Sequence, residues 1–183
     1  MKSRIQLYSQ TCLTCLASCL IPLCVSCQTQ RPLVLQSVGP ASSGTSLGEV
    51  DSRGEGFLKV FSATETRRVG HEGKYYPHTD YFIYNTNGSV FRRVENSVGP
   101  TDEAPALVDL PAGLYKIRVQ ADDYGRVIVP VLIEPWRTTR VYLESRAGNS
   151  SENLNPTNSV CLPDGRIVGW RANIEMVKDH GNK

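Results

Sequence analysis

"LPAGLYKIRV", residues 110–119, is the stretch that decides the fold of this 183-residue chain. Pro111 and Gly113 predict a turn, because Pro fixes φ at about −65° and Gly accepts backbone conformations that other residues avoid. The residues that follow alternate between apolar and polar, which is the period of a strand with one buried face. We therefore expect Tyr115, Ile117 and Val119 to face a core, and Lys116, Arg118 and Gln120 to face water.

Short alternating strands separated by turns fill the rest of the central region. Asn87-Gly88 predicts a tight hairpin with a type I′ turn. Pro130 predicts an edge strand or a bulge, because Pro has no N–H to donate to a neighbouring strand. No segment shows a helical period, so we predict an all-β fold, a single small antiparallel β-sandwich over residues 56–145. Its predicted strands are 57–61, 81–84, 90–94, 106–110, 114–119, 127–133 and 138–143.

Three motifs in this region resemble those of a known group of small domains. Residues 110–119, then 129–134 (Val-Pro-Val-Leu-Ile-Glu) and 139–143 (Thr-Arg-Val-Tyr-Leu) are similar to the second half of carboxypeptidase-regulatory-like, transthyretin-like and Cna-B-like modules. Their shared pattern is L-P-x-G-x-Y-x-V, then P-V-x-V, then T-x-V-x-L. The resemblance implies an Ig-like β-sandwich with a binding, spacer or assembly role, and it implies no active site.

The segments that flank the predicted domain have a different composition. Residues 27–55 are rich in Ser and Gly and are predicted to form a flexible stalk, with a brief strand at 32–35 as an option. Residues 146–183 are predicted to be a linker followed by a C-terminal hairpin and tail. Pro163-Asp164-Gly165 marks the turn of that hairpin, and Trp170 is expected to dock on the sandwich.

The N-terminus contains five of the six cysteines, within residues 12–27. Two C-x-x-C pairs are typical of zinc or iron–sulfur sites, but the residues between these cysteines are mostly Leu, Ile, Ala and Val rather than turn formers. Lys2 and Arg4, the apolar run and the polar stretch from Gln28 form the three zones of an export signal. We therefore predict a signal peptide over residues 1–26, with cysteine acting as a small apolar residue.

The end of the apolar run resembles the lipobox of bacterial lipoproteins. Residues 23–27 read Leu-Cys-Val-Ser-Cys, with Val and Ser in the two positions before Cys27. The resemblance implies cleavage after Ser26, lipidation of Cys27 and export to a bacterial cell envelope, with the outer membrane as the expected site. The rival interpretation is ordinary signal cleavage after Ser26 and secretion without a lipid.

Removal of residues 1–26 changes the charge balance. The chain has 20 basic and 18 acidic residues, and the leader takes away Lys2 and Arg4 but no acid, so 18 of each remain. The mature protein is formally neutral, and nothing in its overall charge favours nucleic acid as a partner. The expected partners are the membrane, through the lipid, and an envelope protein or polysaccharide. The role of the remaining Cys161 stays open between a free thiol and a disulfide with Cys27.

Two groups of side chains are candidates for a functional site. Tyr75, Tyr76 and Trp136 occupy predicted loops and could form an aromatic surface for a sugar ring, as in a carbohydrate-binding module. His71, His78 and Asp80 are weak candidates for metal ligands, with a metal-dependent hydrolase as the matching function, although their spacing fits no standard site. We expect no cofactor and no catalytic residue, and predict a non-catalytic binding or spacer module.

Overall fold

A computed structural model describes residues 31–41, 54–70, 73–146 and 156–172. These residues form an almost entirely β structure, whose one helical element is the 3₁₀ turn Pro156–Asn158. All described strands belong to a compact unit that begins at Arg31. In chain order the strands are β1 (Leu33–Val34), β2 (Val38–Gly39), β3 (Glu55–Phe61), β4 (Arg67–Arg68), β5 (Lys74–Tyr75), β6 (Tyr81–Asn85), β7 (Val90–Val94), β8 (Leu107–Pro111), β9 (Gly113–Ala121), β10 (Gly125–Ile133), β11 (Thr138–Tyr142), β12 (Ser159–Cys161) and β13 (Ile167–Arg171).

Eight of these strands form the large sheet, in the order β12-β13-β2-β10-β9-β6-β7 with β1 also paired to β10. The long hairpin β9–β10 is its centre, with nine residue pairs from Gly125↔Ala121 to Ile133↔Gly113. A small sheet has the order β11-β3-β8, and β4 and β5 form a separate two-stranded sheet.

The turn quoted at the outset carries the chain from one sheet to the other. β8 ends at Pro111 in the small sheet, and β9 begins at Gly113 in the large sheet. Ala112, between them, donates its N–H to the carbonyl of Gly54 over 2.8 Å. Gly113 has a φ of 155°, within the range that side chains with a Cβ rarely adopt. The sequence therefore specifies the crossover as well as the strand.

Both sheets contribute to one apolar core. The prediction for β9 is confirmed, because Tyr115, Ile117 and Val119 are buried while Lys116, Arg118 and Gln120 are exposed. From the small sheet, the core takes fully buried residues of β3 and β11 such as Leu58, Val60 and Val141.

Three strand pairings are parallel, so the prediction of an antiparallel fold was incomplete. β1 and β2 run parallel to β10, and β11 runs parallel to β3. Alternation along a strand shows which face is buried, but it carries no information about the direction of the neighbour. The sheets are therefore mixed, within the all-β fold that was predicted.

Pro130 lies in an interior strand, so the prediction of an edge at this position was wrong. β10 is paired with β9 on one side and with β1 and β2 on the other. Leu35 donates its N–H to the carbonyl of Ile128, and in a regular parallel ladder residue 130 would donate the next bond to Leu35. Pro130 has no N–H, which accounts for the interruption between β1 and β2.

Residues 31–41 also differ from the prediction, because they pair in the large sheet instead of forming part of a flexible stalk. Val38 is fully buried, and the carbonyl of Ala41 accepts a hydrogen bond from the Arg137 guanidinium. The apolar residues of this segment are few, but β1 and β2 pair with the strands β10 and β13, which lie far along the chain. Residues 42–53, the remainder of the predicted stalk apart from 54–55, lie outside the described residues, as do the signal peptide and Cys27.

Both predicted hairpins are present, with one change of turn type. The β6–β7 turn closes with bonds from Asn85 N–H to the Ser89 carbonyl and from Gly88 N–H to the Asn85 carbonyl. Only Gly88 has positive φ, at 87°, so the loop is a type I turn followed by a left-handed glycine rather than type I′. The β12–β13 hairpin turns at Gly165, and β13 pairs with β2, which brings Trp170 opposite Gly39.

Candidate binding face

The outward side of the large sheet carries two rows of side chains that the register places next to one another. The first row crosses the strands as Arg93, Phe82, Arg118, Ile128 and Val34. The second row crosses them as Val90, Tyr84, Lys116 and Pro130. Leu114 opposes Leu132 beyond the second row, and Gln120 opposes Arg126 beyond the first. We call this surface the outer face.

Arg118 is held at the centre of the outer face by two aromatic rings. Its guanidinium carbon lies 5.2 Å from the centroid of Phe82 and 5.4 Å from that of Tyr84. The ring faces attract a cation because their π electrons carry partial negative charge. The two rings are 6.4 Å apart and tilted by 42°, so they flank the guanidinium rather than stack on each other. The arrangement fixes the position of a positive charge on an exposed sheet.

The strand positions of the outer face are basic and contain no acid. Arg93, Lys116, Arg118 and Arg126 supply four positive charges. Arg93 forms an ion pair of 2.8 Å with Asp80, at the edge of the face. The other three form no ion pair with any carboxylate in the described part of the chain. This local charge contrasts with the near balance of the whole chain, which has 20 basic and 18 acidic residues.

Exposed apolar side chains lie among these charges. Val34 is 62% exposed, Val90 57% and Leu114 40%, which are high values for large aliphatic residues. Phe82, Tyr84 and Ile128 are half-buried, since one side of each packs on its neighbours. The outer face therefore combines fixed positive charge with apolar area and has the composition of a contact surface.

A cleft of about 570 Å³ adjoins the outer face at the β9–β10 turn. Its lining includes Phe82, Arg118 and Arg126, together with the carboxylates of Glu65, Asp80, Asp122 and Asp123. Much of this acidic rim is already bonded. Asp122 accepts hydrogen bonds from the N–H and the hydroxyl of Ser145, and Asp123 pairs with Arg166 over 3.2 Å. The cleft is lined by more acidic than basic side chains, four against two.

The predicted aromatic surface is divided between two ends of the small sheet. Trp136 precedes β11, is 81% exposed and donates its N–H to the carbonyl of Glu55, where β3 begins. Tyr76 lies beyond the far end of β11, where the Arg146 guanidinium sits 3.5 Å from its ring centroid, and Tyr75 ends β5 beside it. Tyr75 and Tyr76 are consecutive residues at one end, and Trp136 lies at the other end, so the three rings do not form one surface.

His78 and Asp80 both have hydrogen-bond partners within the described fold. The Nδ1 of His78 bonds the carbonyl of Ser62 over 2.8 Å, and since a carbonyl only accepts, Nδ1 carries the proton. Asp80 accepts from Arg93 and from the N–H of Asn96. Within the described ranges no group of three His, Cys, Asp or Glu side chains could hold a metal ion. His71, the third residue of the predicted set, lies outside those ranges.

A buried polar cluster surrounds His78. Asn96 is fully buried, donates to the carbonyl of Val60 and the hydroxyl of Ser62, and accepts from the N–H of Ala106. Ser62 in turn donates to the carbonyl of Thr79. These bonds tie β3 to the segments before β6 and β8, so the cluster stabilises the fold.

Comparisons with protein families, with curated proteins and with solved structures found no match to this chain. In the described residues no helix is long and apolar enough to cross a bilayer. The sequence interpretation missed the outer face, because each of its strands alone reads as an ordinary solvated pattern. Tyr84 and Lys116 become neighbours only through the pairing of β6 with β9.

Proposed function

We propose that this chain is an exported protein of a bacterial cell envelope, anchored by a lipid on Cys27, and that its β body serves as a binding module rather than an enzyme. In this proposal the two sheets are the layers of a transthyretin-like or Ig-like β-sandwich. Support for the sandwich comes from the shared core and from the crossover at residues 111–113, where consecutive strands belong to different sheets.

The observation that carries the proposal is the position of the first strand. β1 begins at Leu33, six positions after Cys27, and pairs with β10 in the large sheet. An apolar leader that ends in a lipobox-like sequence, followed within six residues by a strand of the folded body, is compatible with a lipid-anchored domain.

Support for binding rather than catalysis comes from the outer face. Fixed charge and exposed apolar area on a rigid sheet favour contact with another surface. The ring of the buried His78 bonds the backbone carbonyl of Ser62 and no side-chain nucleophile among the described residues.

The test is the intact mass of the protein extracted from membranes, comparing the native chain with Cys27→Ser. We expect the native protein to begin at residue 27 and to carry the added mass of two or three acyl chains on a glycerol-modified cysteine. The serine variant should lack that mass and leave the membrane fraction. A native protein that begins at residue 27 without added mass would support the rival, plain secretion, and would refute the anchor.

A further inference from the structure

The structure allows very little distance between Cys27 and the folded body. Leu33 lies six positions after Cys27, and a fully extended chain over six steps spans about 20 Å. Leu33 pairs with Val127 and Val34 with Ile128, so the chain joins the large sheet beside the start of β10, near the β9–β10 turn. An anchor at Cys27 would therefore hold this sheet next to the membrane instead of lifting it away.

The surface that β1 shares has the composition of a membrane contact. Val34 itself belongs to the outer face, where four basic side chains and no acidic one occupy the strand positions. Basic residues are attracted to anionic lipid headgroups, and exposed aliphatic and aromatic side chains favour the boundary between headgroups and acyl chains. Val34, Val90 and Leu114 supply the aliphatic part.

The environment of Arg118 favours lipid headgroups over polymers that proteins recognise by ring stacking. A nucleic-acid base or a sugar ring would need the free face of Phe82 or Tyr84. Both rings already lie against the Arg118 guanidinium. A guanidinium held by rings keeps its N–H edges available for phosphate oxygens, which are the anions that a lipid surface presents.

The acidic groups near the β9–β10 turn determine which side of the body would face the lipid. Glu65, Asp122 and Asp123 line the cleft at the β9–β10 turn, beside Arg118 and Arg126 at that end of the outer face. An end-on orientation would bring these carboxylates to an anionic surface, whereas a face-on orientation brings Lys116, Arg118 and Arg126. The charges therefore favour contact through the flat side of the sheet.

We infer that the outer face of the large sheet docks on anionic lipid headgroups of the membrane that carries the anchor. This inference rests on the proposed function, because it takes its geometry from a lipid on Cys27. The docked sheet is positioned by a short tether and oriented by charge, and the small sheet and the end of the body that carries Tyr76 stay accessible to other partners.

The test measures how fast Lys116 reacts with a water-soluble acetylating reagent that does not cross membranes. The mature chain from Cys27 contains every described strand, and with Cys161→Ser its one thiol can be coupled to a maleimide lipid in vesicles. We expect Lys116 to react about tenfold more slowly in vesicles with about a third anionic lipid than in zwitterionic vesicles, which corresponds to about nine molecules in ten docked. Lys74, exposed on β5 away from the large sheet, is the internal reference.

Two matched variants show whether the effect depends on a charge of the outer face or on the net charge of the protein. Arg118→Glu should abolish the protection of Lys116 in anionic vesicles, while Arg68→Glu, at an exposed position of β4, should leave it intact. Raised salt should also release the face, because screening shortens the reach of surface charge to a few ångströms. Far-UV circular dichroism of each variant before coupling shows whether the fold is retained.

The outcomes distinguish the inference from the proposed function. Equal reactivity of Lys116 in both kinds of vesicle overturns the docking, whatever the cell does to Cys27, because the anchor is supplied chemically. Protection that grows with protein concentration in the absence of vesicles would assign the face to a second copy of the chain. Protection that appears only on adding an acidic polysaccharide would assign it to that polymer. Either result overturns the inference, while loss of the lipid in the mass experiment affects the anchor alone.

Discussion

Two buried tyrosines differ in whether their hydroxyl groups have a hydrogen-bond partner. Tyr81 and Tyr115 are both buried tyrosines on the inward side of the large sheet. The hydroxyl of Tyr115 donates to the carbonyl of Pro111 over 3.1 Å. The hydroxyl of Tyr81 has no hydrogen-bond partner among the described residues, and burial raises the pKa of Tyr81 despite the opposing charge of Arg92.

This pair gives a matched prediction of stability. Tyr81→Phe removes an unpaired buried hydroxyl and should raise the free energy of unfolding by up to about 1 kcal/mol. Tyr115→Phe removes a hydroxyl that is bonded and should lower it by about 1 kcal/mol. Urea unfolding of both variants against the native chain makes the comparison. Equal losses in the two variants would mean that the Tyr81 hydroxyl is bonded in solution.

Glu144 gives the fold a dependence on pH. Burial raises the pKa of its carboxyl, Asp122 adds to the effect, and His78 and Arg146 oppose it. A carboxyl whose pKa is raised by folding favours the folded state while protonated, and this contribution is lost as the pH rises above the ordinary glutamate range. Glu144→Gln should therefore match the native chain at about pH 3.5 and be more stable at about pH 8.

Thermal unfolding at the two pH values measures this difference for the Glu144 variant. Glu95→Gln, at an exposed position, is the control and should change the melting temperature little at either pH. A Glu144 variant that is less stable than the native chain at pH 8 would contradict the assigned direction of the pKa shift.

At the scale of elements, β2 is a strand that the sequence did not predict. Val38 is fully buried between β10 and β13, whereas Val34, four residues earlier, is 62% exposed. Val38→Ala should cost about 2 kcal/mol, because it removes two buried methyl groups and leaves a cavity. Val34→Ala should change stability by less than about 0.5 kcal/mol. Denaturant unfolding measures both variants. An unchanged free energy of unfolding in Val38→Ala would support the original prediction that this segment is a flexible stalk.

The sequence predicted strands well and their neighbours poorly. Alternation in residues 114–120 depends on local geometry, so the buried and exposed sides of β9 were both correct. The partner of a strand depends on residues far along the chain, for which a period of two gives no signal. Parallel pairing of β1 with β10 joins residues more than ninety positions apart, and it made Pro130 an interior residue.

The lack of information about strand partners also explains why the sequence did not predict the candidate site. Tyr75, Tyr76 and Trp136 were grouped because of residue type, and the fold separates Trp136 from the other two. Arg118 was predicted correctly to face water, but its contact with Phe82 and Tyr84 depends on strand pairing across more than thirty residues. A functional surface assembled from several strands has no local sequence pattern.

At the scale of the whole molecule, the position of residues 31–41 connects fold and function. If these residues form part of the large sheet, the tether to Cys27 is short and the sheet is the surface nearest the anchor. If they were loose, a stalk would separate the body from the membrane and the outer face would have no reason to meet lipid. The proposed anchor and the inferred docking therefore share one structural premise.

Hydrogen exchange in the protein tests that premise most directly. The N–H of Leu35 donates to Ile128, and the N–H of Ala172 donates to Ser37, both within 2.9 Å. We predict that these amides exchange at least about a hundredfold more slowly than unprotected ones, as does the bonded amide of Phe57 in the small sheet. Exchange of Leu35 and Ala172 at the unprotected rate, with Phe57 still protected, would contradict the account.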